Sequence, residues 1–232
     1  MTTMTASRAH RLPAAAMVAF TALMGTGLVA CSAEAQPTAS AHAAEHARSN
    51  GQTSSQAALH AAMREVWAEH MEWTYATVAA FAANTDGLPA TLERLLQNQK
   101  DIGDAIKPFY GDEAGAALTT LLEAHINGAV PILVAAKAGN TADLNKAVAA
   151  WYANANEIAD FLAGANPQWA QADMRQMMKG HIDQTLVYAT DQLQGKYADS
   201  IEAYGAAEAH MLEMADMLSD GLIAQFPKEF KK

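Results

Sequence analysis

The sequence predicts an all-α fold, a six-helix bundle built from three repeated helical hairpins of about 56 residues each, and three observations carry that expectation. The first is an internal triplication. His70, His125 and His181 recur at nearly equal intervals, and Asp101, Glu157 and Glu213 follow them at a nearly constant offset. The neighbouring strings keep register: E-A-H-I beside K-G-H-I, and N-Q-K-D-I-G-D-A-I beside N-A-N-E-I-A-D-F-L and H-M-L-E-M-A-D-M-L. Such a period marks one supersecondary unit copied along the chain. The second observation is composition: long stretches of Ala, Leu, Glu, Gln and Met, with no alternating run of β-branched residues, favour helix. The third is punctuation. Asn84, Gly139 and Gly195 each stand at the same offset after a repeat histidine, and these residue types tolerate the left-handed conformation that ends a helix.

Read in order, residues 1–30 hold Arg8, Arg11 and no acid, then an apolar stretch that ends in L-V-A-C at Cys31. This is the pattern of a lipoprotein signal peptide, with Cys31 as the lipidated N-terminus; the alternative is a transmembrane anchor whose cysteine is incidental. A lipidated Cys31, the chain's one cysteine, offers no disulfide and anchors the protein to a membrane. Residues 31–54 carry hardly a large apolar side chain and read as a flexible tether. His42 and His46 stand there at i,i+4 spacing, but a disordered tether gives a metal no preorganised geometry. The six-helix domain is expected over 55–227, with helices at about 55–83, 89–107, 112–138, 142–164, 168–194 and 197–225. Pro131 has no N–H for the helical ladder, so it should kink the third helix or bound a short extra segment.

Loss of the leader's two arginines leaves 13 bases against 25 acids, a formal charge of −12. That surface is a poor partner for nucleic acid. The expected location is the cell envelope, facing the periplasm or the outside.

The chemistry-bearing residues are the repeated ones. Four residues before the histidines stand Val66, Leu121 and Met177, and three before stand Trp67, Leu122 and Met178, so the imidazoles lie on an apolar face. Asp101, Glu157 and Glu213 precede Ile102, Ile158 and Met214, which places them at the core or its edge. Together with His210, which stands where the other repeats have Asn98 and Asn154, they form the inventory of a divalent transition-metal site. Three histidines can share an ion if the hairpins close around an axis; an open stack keeps them apart. The competing reading is structural: each histidine is clasped by the acid of its own hairpin.

Gly103, Ala159 and Ala215 follow the acids by two residues and would let a neighbouring helix approach closely. Asp104, Asp160 and Asp216 are turned outward, with Lys107 in reach of Asp104. Met174, Met177, Met178, Met211, Met214 and Met217 crowd the third repeat, where core filling is favoured over a thioether metal site. No Gly-rich phosphate loop, nucleophile elbow or paired zinc-ligand motif appears, so no familiar enzyme is indicated. A hydrolase using a metal-activated water is the weakest of the readings.

H-M-E-W-T at His70–Thr74, N-Q-K-D-I-G-D-A-I-K-P-F-Y-G at Asn98–Gly111 and W-Y-A-N-A-N-E-I-A at Trp151–Ala159 resemble an uncharacterised family of small helical bacterial proteins. The resemblance spans most of residues 60–227 and implies a helical domain but no activity. Where that family often has Arg after W-T, this chain has Tyr75.

The expectation is thus a lipid-anchored protein that binds a metal ion or small ligand at a buried His/carboxylate cluster. Its rival is a structural or protein-interaction lipoprotein with His–carboxylate clasps and no ligand.

Overall fold

The computed structural model describes residues 52–231, and among them there is helix and no strand. The leader, Cys31 and the His42/His46 pair lie outside the described residues. Five helices follow one another: α1 Ser54–Ala83, α2 Leu88–Ala138, α3 Thr141–Ala165, α4 Gln171–Leu193 and α5 Tyr197–Gln225.

Local chemistry explains where they begin and end. Thr53 caps α1 through a capping box: its hydroxyl accepts from the Gln56 N–H, and the Gln56 side chain accepts from the Thr53 N–H. The same hydroxyl donates to the Phe230 carbonyl at 2.9 Å, which ties the end of the chain to the start of α1. The three anticipated stops are all left-handed, with φ of 52° at Asn84, 67° at Gly139 and 74° at Gly195. After each one, the next N–H reaches back five residues: Thr85 to Ala80, Asn140 to Ala135 and Lys196 to Asp191. This is the same Schellman closure three times.

The main departure from expectation is α2, a single 51-residue element where two helices are predicted. Its helical geometry is interrupted at one residue, Gly111, whose φ of 84° and ψ of 171° belong to a region that only glycine enters cheaply. The break is therefore narrower than the K-P-F-Y-G string suggests, because Pro108 is accommodated before it. The two arms touch. A Cβ on Gly103 would stand 2.6 Å from the Gly115 carbonyl oxygen, so glycine is what allows that approach. Pro131 neither ends the second arm nor departs from helical dihedrals. By length and composition alone α2 could cross a membrane, yet its arms pack on one another and on α1 and α3.

Each helix packs on the next, and α5 returns to α1, so the arrangement closes rather than continuing as an open stack. The core joins residues from every helix, among them Trp67, Met71, Ile102, Leu122, Ile158, Ile182 and Met214. Met174, Met178, Met211 and Met214 are buried in it, and Met177 and Met217 are packed against it. Ala159 and Ala215 are fully enclosed. The outward acids pair on the surface, Asp104 with Lys107, Asp160 with Arg175 and Asp216 with Arg64.

Candidate functional site

α1, the second arm of α2 and α4 each contribute one repeat histidine to the interior. His70, His125 and His181 are at most 3% exposed. Their rings form a short chain in which the His181 centroid lies 5.7 Å from those of both His70 and His125. Trp151 stacks on His125 at 4.9 Å with 25° between the planes, and its indole N–H donates to the His125 carbonyl at 2.9 Å. A cavity of about 60 Å³ opens beside the three imidazoles, walled by Trp151, Thr77, Thr185 and aliphatic side chains such as Leu95 and Ile132.

The carboxylates do not join them. Asp101 faces outward, accepting from Arg94 at 3.2 Å and Gln97 at 3.0 Å, while Glu157 and Glu213 are exposed. A residue next in sequence to a core position is rotated about 100° around the helix. The buried neighbours Ile102, Ile158 and Met214 therefore turn the acids away. A carboxylate beside neutral imidazoles would also incur a heavy desolvation cost. Amides stand in place of the expected carboxylates at His70 and His125, and the seven-residue metal set does not converge. Among the described residues, no three His, Cys, Asp or Glu side chains form a ready-made shell for an ion.

Sequence reasoning passed over the partners that do the holding. Asn154 Oδ1 accepts from His125 Nδ1 at 2.9 Å, and Gln99 Nε2 lies 3.3 Å from His70 Nδ1. A second contact recurs three times. Asn98 Nδ2 donates to the Val66 carbonyl at 2.9 Å, Asn154 Nδ2 to Leu121 at 3.2 Å, and His210 Nε2 to Met177 at 3.0 Å. Each carbonyl lies one helical turn before a repeat histidine. The visible signal was a polar residue three positions before each acid, on the side of the helix that faces the core.

His210 thus takes the place of an asparagine as donor but brings no amide oxygen. Gly180 makes room for its ring, since a Cβ there would come within 2.9 Å of Nε2. The consequence falls on His181, whose buried Nδ1 has no hydrogen-bond partner among the described residues. His125 Nε2 is buried and unpartnered among them too, as is the Thr185 hydroxyl.

Burial dominates the electrostatics, and it disfavours the charged imidazolium. It pushes His70 down to about 3, with His125 adding repulsion against hydrogen bonds from Gln99 and Asn98 that oppose the shift. Burial takes His125 down to about 4, opposed by the Asn154 bond. His181 falls well below the ordinary histidine value, through burial first and then repulsion from His70, His125 and His210. All three rings are neutral at pH 7. The chemistry available is that of neutral nitrogen lone pairs in an apolar cavity. No protein-family model, curated protein or solved structure matches the chain.

Proposed function

We propose that this is a lipid-anchored envelope protein whose helical domain binds a metal ion or a small ligand at the imidazole-lined cavity. One observation carries the reading: His125 is held through Nδ1 by Asn154 while its buried Nε2 meets no partner among the described residues. A ligating histidine is ordinarily oriented in this way, with its second nitrogen engaged by a neighbouring acceptor. An unpartnered buried polar atom is costly, so it calls for an occupant. Because the ring is neutral, that occupant accepts an electron pair, as a metal ion or an O–H or N–H group does. The cavity of about 60 Å³ is far smaller than the roughly 300–1,000 Å³ of pockets for drug-sized ligands. Size therefore favours an ion or a molecule of a few atoms.

In this reading the five helices are three hairpins: α1 with the first arm of α2, the second arm with α3, and α4 with α5. The recurring carbonyl contacts and the three Schellman closures support it. The membrane anchor rests on the L-V-A-C site at Cys31. A second reading, a structural lipoprotein whose clasps only hold its helices, is favoured by the same carbonyl contacts, which need no ligand.

Elemental analysis of the purified protein, with thermal melts in the presence of zinc, copper, nickel, manganese or iron, separates the two. Saturation to a hundred times Kd adds about 2.7 kcal/mol, or roughly 5–10 °C in Tm for a chain of this size. A metal-free protein whose Tm none of these ions moves would leave the structural reading standing.

A further inference from the structure

We infer that the cavity takes a low-coordinate monovalent soft cation, copper(I), between His125 Nε2 and His181 Nδ1, an inference that rests on the metal-binding reading above. Coordination number is the first argument. Structural zinc is almost always four-coordinate, and no three potential ligand side chains are gathered here among the described residues. Two buried nitrogens without partners among the described residues, His125 Nε2 and His181 Nδ1, belong to side chains that border one cavity. A d¹⁰ copper(I) ion is satisfied by two or three donors, and imidazole suits copper. The spacing agrees. A metal–nitrogen bond of about 2 Å puts each ring centre about 3 Å from the ion, so two rings sharing it have centres about 5–6 Å apart. The His125 and His181 centroids are 5.7 Å apart.

Charge is the second argument. Among the described residues no carboxylate is hydrogen-bonded to the rings: Asp101 is engaged by Arg94, and Glu157 and Glu213 are exposed. A divalent ion among neutral donors would carry two uncompensated charges into an apolar interior. Charging energy scales with the square of the charge, so a monovalent ion incurs about a quarter of that desolvation cost.

The third argument is the asymmetry among the repeats. Asn154 occupies His125 Nδ1 with its amide oxygen. At the equivalent place His210 spends Nε2 on the Met177 carbonyl and offers His181 no such oxygen. The exchange of asparagine for histidine at 210 thus leaves the Nδ1 of His181 unengaged, where an asparagine would have fixed it as a hydrogen-bond donor.

The test titrates the full-length protein in detergent, anaerobically, with copper(I) in competition with the chromophoric chelator bicinchoninate, and with zinc(II) in parallel. Wild type should hold one copper(I) at least a hundredfold more tightly than His125→Ala or His181→Ala. His210→Asn keeps the question open to refutation if those variants misfold. It should weaken copper(I) at least tenfold with circular dichroism unchanged and Tm equal or higher. A folded His210→Asn protein with undiminished copper(I) affinity overturns the inference. Zinc(II) binding as tightly through the same histidines also overturns it, and leaves the broader metal-binding reading intact. If neither ion binds or shifts Tm, and elemental analysis finds no metal, both readings fall.

Discussion

Acid should destabilise this domain well above the pH at which its carboxylates protonate, because three imidazoles are held neutral in its core. In the folded chain His70 titrates at about 3 and His125 at about 4, against 6.5 for an exposed histidine. Folded values below the unfolded one mean that nothing is lost above pH 6.5. As pH falls below 6.5, the unfolded chain takes up protons that the folded one refuses, and stability declines until the folded values are reached. At pH 5 each of these two histidines has forfeited about 2 kcal/mol, so the pair accounts for about 4 kcal/mol, with His181 acting in the same direction. That is a large share of the roughly 5–15 kcal/mol that holds a typical domain together. Asp160 and Asp183 are held below the ordinary carboxylate value of 3.8, so their stabilisation survives until the pH falls below that value, outside this window. The assay is urea unfolding followed by circular dichroism at pH 8 and pH 5, with a chelator present throughout. His125→Gln supplies the control: weaker at pH 8, it should lose about 2 kcal/mol less than wild type on going to pH 5, because one titrating group is gone. Stability that stays within about 1 kcal/mol over this range, or a variant with the wild-type slope, would refute the reasoning.

Three further outcomes are expected. Gly111→Ala should cost about 1–3 kcal/mol by urea unfolding, since φ of 84° with ψ of 171° is strained for any Cβ. Gly103→Ala should be at least as damaging, because its methyl would stand 2.6 Å from the Gly115 backbone oxygen and push the arms of α2 apart; a Tm equal to wild type would show that they tolerate separation. Trp151→Phe keeps an aromatic face against His125 but removes the indole donor to its carbonyl, so a loss of about 1 kcal/mol in chemical denaturation is expected.

The elements that sequence reading located well are those fixed by local physics. Asn84, Gly139 and Gly195 were legible because a left-handed helix end restricts the residue type before any tertiary contact forms. The three histidines were legible because apolar residues three and four positions earlier fix the helix face. The direction of Asp101, Glu157 and Glu213 was misread, because adjacency to a buried residue implies a rotation of about 100° around the helix rather than burial. Asn98, Gln99 and Asn154 were overlooked as partners because an amide on an apolar face carries no charge to signal its role. Their bonds depend on how helices dock rather than on the sequence of either one. At α2 the glycine is visible in the sequence but the width of the break is not, since one residue with positive φ redirects the backbone without a loop.

His70, His125 and His181 occupy matching positions in the sequence, and a clasp at Nδ1 leaves only Nε2 for an occupant, as at His125. What differs is the group opposite each Nδ1: Gln99 at His70, Asn154 at His125, and no hydrogen-bond partner among the described residues at His181. Leaving that nitrogen unpaired costs about 1–3 kcal/mol, and an asparagine at 210 would have avoided it, since the neighbouring repeat shows that asparagine can serve both the carbonyl and the imidazole. The histidine at 210 keeps the carbonyl contact and forgoes the other, with Gly180 leaving the space its ring requires. Stability alone gives no reason for that exchange, whereas the proposed binding would use the nitrogen it leaves unpaired. On the proposed reading, binding should be most sensitive to substitution around His181, and His210, which lines no part of the cavity wall, is where a change can separate binding from folding.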